Sequence, residues 1–252
     1  MEITRISLTS EKIIAPITLA LVSDLHDRNA KAVLRELRKA APDMILMSGD
    51  IFDAQPLPEE KQQPESLYFL QECTQIAPAW FSIGNHEWVV EENLRAILAS
   101  CGVTLLDDTA QRVGIKGNDI VIGGLTSPCG RVGRYSRLYT PDPDVEFLDR
   151  FSNMKGYKIL LSHHPEFYPR VIASRPIDLT LSGHAHGGQI RFGKQGLFAP
   201  GQGFFPKYIS GLYEGRLVVS RGLGNHTPIP RLWNPFQLIF VTMIPKEEKY
   251  QN

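Results

Sequence analysis

Residues 19–26 read Leu-Ala-Leu-Val-Ser-Asp-Leu-His, and residues 44–50 read Met-Ile-Leu-Met-Ser-Gly-Asp. Each is a short apolar run that passes through Ser to a carboxylate. Runs of four or five apolar residues fit strands buried on both faces, as parallel strands are. Between the two, Val33, Leu34, Leu37 and Ala41 recur at helical spacing over residues 30–40, with Asn29 placed to cap the helix. Strand, helix, strand in that order predicts a parallel pair joined by a right-handed crossover.

The alternation continues outward from this unit. A helix is expected over 66–76, a strand over 79–83 and a helix over 91–100. Short strands follow at 103–106, 111–115 and 119–123, with Lys116-Gly117-Asn118 as a hairpin turn. Strand 157–161, a helix near 166–174 and strand 178–181 resume the first pattern, and strands near 189–192, 216–220 and 236–243 close the chain. Residues 54–65 and 125–143 read as loops. With no internal repeat and no low-complexity linker, one domain over 1–252, built from two sheets and outer helices, is the simplest arrangement.

Composition narrows the function classes. Of 252 residues 42% are hydrophobic, enough for a sizeable core, and Lys+Arg balance Asp+Glu at 27 each. Zero net charge argues against a bulk nucleic-acid binder and leaves a small anionic substrate open, since site charge is local. Three cysteines, Cys73, Cys101 and Cys129, with no C-x-x-C pair, argue against a disulfide framework and for a reduced compartment. No apolar run reaches the ~18–20 residues that span a bilayer, and no signal-peptide pattern opens the chain. A cytoplasmic location is expected, with peripheral contact at a membrane surface compatible; the sequence sets no oligomeric state.

Five blocks carry the chemistry: Asp24-Leu25-His26, Gly49-Asp50, Gly84-Asn85-His86-Glu87, His163-His164-Pro165 and Gly183-His184-Ala185-His186. Each follows an apolar run. Asp24 and His26 are two apart, as are His184 and His186, and in extended backbone such residues point to one side. Imidazoles and carboxylates without a thiolate suit Mn, Zn or Fe at a site open to chemistry rather than a closed structural zinc. One carboxylate such as Asp50 can bridge two ions. Asp27, Asp53 and Glu87 lie beside these residues as partners for imidazole N–H groups or as helix-capping acids.

In this order the blocks resemble the signature of the calcineurin-like metallophosphoesterases: D-x-H, G-D, G-N-H-[DE], H-x-P and G-H-x-H, here spanning residues 24–186. Gly187-Gly188-Gln189 and Ser220-Arg221-Gly222-Leu223-Gly224 are similar to a bacterial, membrane-associated branch. The resemblance implies a four-layer α/β/β/α sandwich of two mixed sheets flanked by helices. It implies two divalent metal ions, one on Asp24, His26 and His186, the other on Asn85, His163 and His184, with Asp50 between them. It gives His86 the role of general acid and leaves His164 in support. The implied reaction is hydrolysis of a phosphodiester, pyrophosphate or phosphomonoester in a small or lipid-linked substrate, by attack of a hydroxide shared between the ions. A nuclease, or a non-catalytic module on the same fold, is the alternative.

Arg131, Arg134 and Arg137, with Tyr135 and Tyr139 among them, are candidate phosphate or substrate contacts. Phe198, Phe204, Phe205, Tyr208 and Trp233 read as core packing or an apolar wall. His226 stands apart from the motifs and reads as structural.

Overall fold

The computed structural model describes residues 1–53, 65–87, 91–129 and 139–246. Of the predicted loop over 54–65, residues 54–64 lie outside the described residues, as do the arginines Arg131, Arg134 and Arg137.

Two six-stranded sheets form the centre. The first holds β1 (Glu2–Ser10), β2 (Ile17–Val22), β3 (Met44–Met47), β4 (Ala79–Ser82) and β5 (Thr104–Leu106). The second holds β6 (Thr109–Ile115), β7 (Asn118–Leu125), β8 (Tyr157–Ser162) and β9 (Leu179–Ser182). Two-residue ladders β10 (Arg191–Phe192) with β11 (Gln195–Gly196), and β12 (Phe198–Ala199) with β13 (Gly203–Phe204), stand outside both. β14 (Gly211–Tyr213) and β15 (Leu217–Val219) complete the second sheet, and β16 (Gln237–Pro245) completes the first. The first sheet runs β1-β16-β2-β3-β4-β5, and the second runs β14-β15-β9-β8-β7-β6. β2 through β5 are parallel, as are β7, β8, β9 and β15, while β16, β6 and β14 run antiparallel to their neighbours β2, β7 and β15.

The period-2 alternation of each strand decides which core its residues join. Ile17, Leu19 and Leu21 of β2 and Ile159 and Leu161 of β8 meet in a dry layer between the sheets. Ala20 and Val22 turn the other way, onto α1 (Ala30–Ala40), α2 (Glu65–Cys73) and α3 (Glu91–Ser100). Val121 of β7 and Leu160 of β8 face Phe147, Leu148 and Phe151 of α4 (Val145–Ser152). The result is the expected α/β/β/α layering with two mixed sheets.

Three local expectations are corrected. The helix near 166–174 is only a one-turn π-helix, Tyr168–Ile172: Pro169 lacks an N–H, and Ala173 N–H reaches back five residues to Tyr168 O (2.8 Å). Asn29 precedes α1, but its φ is 60° and its amide donates to Leu223 O (2.6 Å), so it does not cap the helix. Strand 189–192 shrinks to the two residues of β10.

Candidate metal centre

All seven predicted ligands lie on turns that leave the C-terminal ends of parallel strands, where α/β folds gather side chains. β2 delivers Asp24 and His26, β3 Asp50, β4 Asn85, β8 His163, and β9 His184 and His186. The backbone there is unusual. Asp24, His26, Asp50, His184 and His186 have φ of 50°, 49°, 55°, 63° and 44°. Non-glycine residues enter this left-handed region at a cost of roughly 1–3 kcal/mol each, and persist only where surroundings enforce it. Here neighbouring turns enforce it on one another. Asp24 N–H donates to Gly49 O (3.1 Å) and His26 N–H to Asp50 O (3.2 Å). Gly49, at φ 90°, must be glycine for a second reason: a Cβ on it would stand 2.6 Å from Gly84 Cα.

The donors converge in two groups, each within 4.8 Å: Asp24, His26 and His186, and Asp50, His163 and His184. In the first, His186 Nε2 lies 3.4 Å from both His26 Nε2 and Asp24 Oδ1. Asp24 also accepts from His184 N–H (3.0 Å), tying β2 to β9. In the second, His163 Nδ1–H donates to Ser48 O (2.7 Å), which turns Nε2 toward the other donors. That Nε2 is 3.0 Å from Asp50 Oδ2 and 3.1 Å from Asn85 Oδ1.

Positive charge holds such acceptors together, from a proton on His163 or from a cation in its place. Burial pushes His26 and His184 well below the usual imidazole range and His186 to about 4, so these rings stand neutral and ready to coordinate. Burial also works against a charged His163, but the Asp50 carboxylate outweighs it and pushes His163 up to about 10. Burial raises Asp50 itself, yet His163, His86 and His26 together hold it well below its ordinary value. The buried Nδ1 atoms of His26 and His186 have no hydrogen-bond partner among the described residues. Buried N and O donors without a thiolate fit divalent cations of the Mn, Zn or Fe kind.

Around the donors, Glu87 accepts backbone N–H from Gly84 (2.7 Å), Asp50 (3.0 Å) and Ile51 (2.8 Å). Asp27 accepts from Asp53 N–H (2.9 Å) and from Ser66 N–H (3.2 Å) at the start of α2. Asp27 thus caps α2, Glu87 holds loop backbone rather than a helix or an imidazole, and Asp53 Oδ1 lies 3.8 Å from His86 Nδ1. His86 is buried beside Asp50, whose Oδ1 accepts its backbone N–H (2.9 Å). His164 is held by Ser127 Oγ (2.7 Å) and Glu166 Oε1 (3.2 Å), and Glu166 reaches within 4.0 Å of His184 Nε2.

His226 corrects an expectation. Its half-buried ring lies 4.3 Å from that of His86 and 5.2 Å from that of His26. All seven histidines of the chain thus meet in one place. Glu166 carries no motif of its own, and Gln189 enters the sequence reading only within Gly187-Gly188-Gln189.

Residues 17–188 match the family model of the calcineurin-like phosphoesterases. The Bacillus subtilis protein YpbG is 28% identical over 217 residues, 85% of this chain and 76% of its own length. The Escherichia coli phosphodiesterase YaeI is 28% identical over 228 residues, 84% of this chain and 76% of its own. Other curated relatives are longer, and the chain spans about three-fifths of them. Among solved structures, a 5'-nucleotidase precursor from Thermus thermophilus is similar at 17% identity with a TM-score of 0.50, over 70% of this chain and 43% of that one, a likeness of fold.

Proposed function

This chain belongs to the calcineurin-like phosphoesterase family and is a metal-dependent phosphohydrolase domain; on that premise we propose that it holds two divalent cations and cleaves a phosphodiester or related phosphoester of a small or lipid-linked molecule. Asp24, His26 and His186 would hold one cation and Asn85, His163 and His184 the other, with Asp50 available to both. The observation that carries this reading is the convergence of acceptor atoms from four strand ends into two buried groups, each within 4.8 Å, with Asn85 Oδ1 3.1 Å from His163 Nε2 in the second. When bound, such a pair of cations supplies Lewis acidity to phosphoryl oxygens and acidifies the attacking water.

The protein's own residues do the rest. The fixed imidazoles and carboxylates orient the phosphoryl group without reorganisation at the moment of reaction. His86, steadied by its backbone bond to Asp50 and by Asp53, delivers a proton to the leaving oxygen. Burial of the donors keeps bulk water from competing.

Diester cleavage is favoured over monoester cleavage by the likeness to the E. coli phosphodiesterase YaeI. A lipid-linked substrate is supported by rings left in solvent: Phe192, Phe204, Phe205 and Trp233 are each at least 61% exposed, the kind of rim that meets an acyl chain or interface. Zero net charge supports a small substrate over DNA or RNA.

Metal analysis of the purified protein, then turnover of p-nitrophenyl phosphate and bis-p-nitrophenyl phosphate, tests the reading. Two equivalents of metal with faster diester turnover are expected. A protein that binds no metal at saturating supply removes it. Asp50→Asn is expected to lose metal and turnover together. His86→Ala is expected to keep both ions and lose about 10²–10⁴-fold on an ester with a poor leaving group. Co-sedimentation with lipid vesicles and a panel of nucleotide and lipid phosphates separates the substrate classes.

A further inference from the structure

We propose that His226 is a substrate-contacting residue of this site, its imidazole N–H donating a hydrogen bond to the phosphoryl group of the bound ester on the His86 side. The inference rests on the phosphoesterase reading above and goes beyond it, because His226 lies outside the matched residues 17–188.

Three observations carry it. The first is position. The ring of His226 packs against those of His86 (4.3 Å, edge-on) and His26 (5.2 Å), so it stands beside both the proposed proton donor and a proposed metal ligand. The second is construction. Gln189, three residues past His186, donates from Nε2 to Asn225 Oδ1 (2.9 Å), Thr227 Oγ1 (3.2 Å) and Ile229 O. Asn225 Nδ2 in turn donates to Thr227 O (2.9 Å). Asn234 fastens the same assembly from below, donating to His186 O (2.7 Å) and Gln189 O (3.1 Å). The turn that carries His226 is therefore held to the turn that carries His184 and His186. The third is what this construction leaves over. Both flanking side chains, Asn225 and Thr227, are engaged within the turn, whereas the His226 ring makes no hydrogen bond to any described residue and is only half-buried. A neutral imidazole always carries one N–H, so the donor is present in either tautomer. A ring held rigidly beside a phosphate site, with its donor uncommitted, fits a substrate contact.

The test uses the full metal-loaded chain and inorganic phosphate as probe, alongside turnover of bis-p-nitrophenyl phosphate. His226→Ala is expected to keep two equivalents of metal and to weaken both phosphate binding and kcat/KM by about 10- to 100-fold, the usual weight of a hydrogen bond to a charged group. His226→Gln, which retains an N–H donor, is expected to recover part of that loss; a purely structural ring would not be replaced this way. Unchanged phosphate binding and kcat/KM in His226→Ala overturn the assignment alone, as does loss of metal in both variants, which would make the residue structural. A wild type that neither binds phosphate nor turns over the ester removes the phosphoesterase reading and this assignment with it.

Discussion

Glu87 shows what one side chain does at the residue scale. Its carboxylate is 1% exposed and collects the backbone N–H groups of Gly84, Asp50 and Ile51, so it fixes the left-handed turn from which Asp50 projects. Burial and the neighbouring Asp50 push it up to about 7, while the backbone donors pull it down. Glu87→Ala leaves those buried donors unmet, and each costs about 1–3 kcal/mol. We expect at least ~3 kcal/mol lost in urea unfolding, with metal affinity reduced by about 10- to 100-fold because a ligand's support is gone. An unshifted urea midpoint would show that water replaces the carboxylate. The full set of seven donors followed from the family resemblance; spacing marked only Asp24/His26 and His184/His186, and on a geometry the structure corrects, since all four have left-handed φ rather than extended backbone and His184 and His186 part to different groups. Glu87 was ambiguous, because an acid after a strand end serves equally as a backbone acceptor or as an imidazole partner. His226 was not legible, since what brings it in lies far off in the chain: Gln189, 37 positions earlier, and Asp24, whose carbonyl accepts Gly224 N–H (2.6 Å).

At the scale of elements, α1 and α2 exchange caps. Ala30 N–H, at the start of α1, donates to Glu65 Oε2 (2.9 Å) at the start of α2, while Ser66 N–H of α2 donates to Asp27 (3.2 Å) just before α1. Each helix thus receives from the other the acceptor and negative charge that its N-terminus favours. Glu65→Ala is expected to cost about 1 kcal/mol, the usual weight of a cap, in chemical unfolding; no change would mean that solvent caps α1 as well. The sequence pointed to Asn29 for this task, because local pattern cannot see an acceptor 35 residues away. It read α1, β3 and α3 to their ends, since each is a regular apolar pattern with sharp borders. It did not anticipate β1, a half-buried edge strand whose pairing with β16 joins the two ends of the chain, nor α4, which begins in a stretch of alternating Pro and Asp.

At the scale of the whole molecule, both donor groups straddle the sandwich. Asp24 and His26 come from the first sheet and His186 from the second; Asp50 and Asn85 come from the first, His163 and His184 from the second. What joins the sheets away from the site is side-chain packing, with Leu19, Leu21, Ile159 and Leu161 fully buried. Leu161→Ala, at the centre of that layer, is expected to cost about 2–5 kcal/mol in urea unfolding without changing metal stoichiometry. A bound cation would act differently, as a cross-link at the open edge, and would stabilise only the folded state. At a free concentration 100-fold above its dissociation constant, that linkage is worth about 2.7 kcal/mol per site. For a chain of this size each kcal/mol moves the midpoint by about 2–4 °C, so Mn²⁺ or Zn²⁺ should raise Tm over an EDTA-treated sample by about 5–10 °C for one site and by more for two. Asp50→Asn, which keeps the shape of the side chain but removes the charge shared by the two groups, should erase most of that difference, and its Tm in EDTA should fall below that of the wild type, since the carboxylate that His163, His86 and His26 favour in the folded chain is gone. A metal-induced shift that survives in Asp50→Asn would mean that the cations bind elsewhere, and the two-sheet clamp would have to be abandoned.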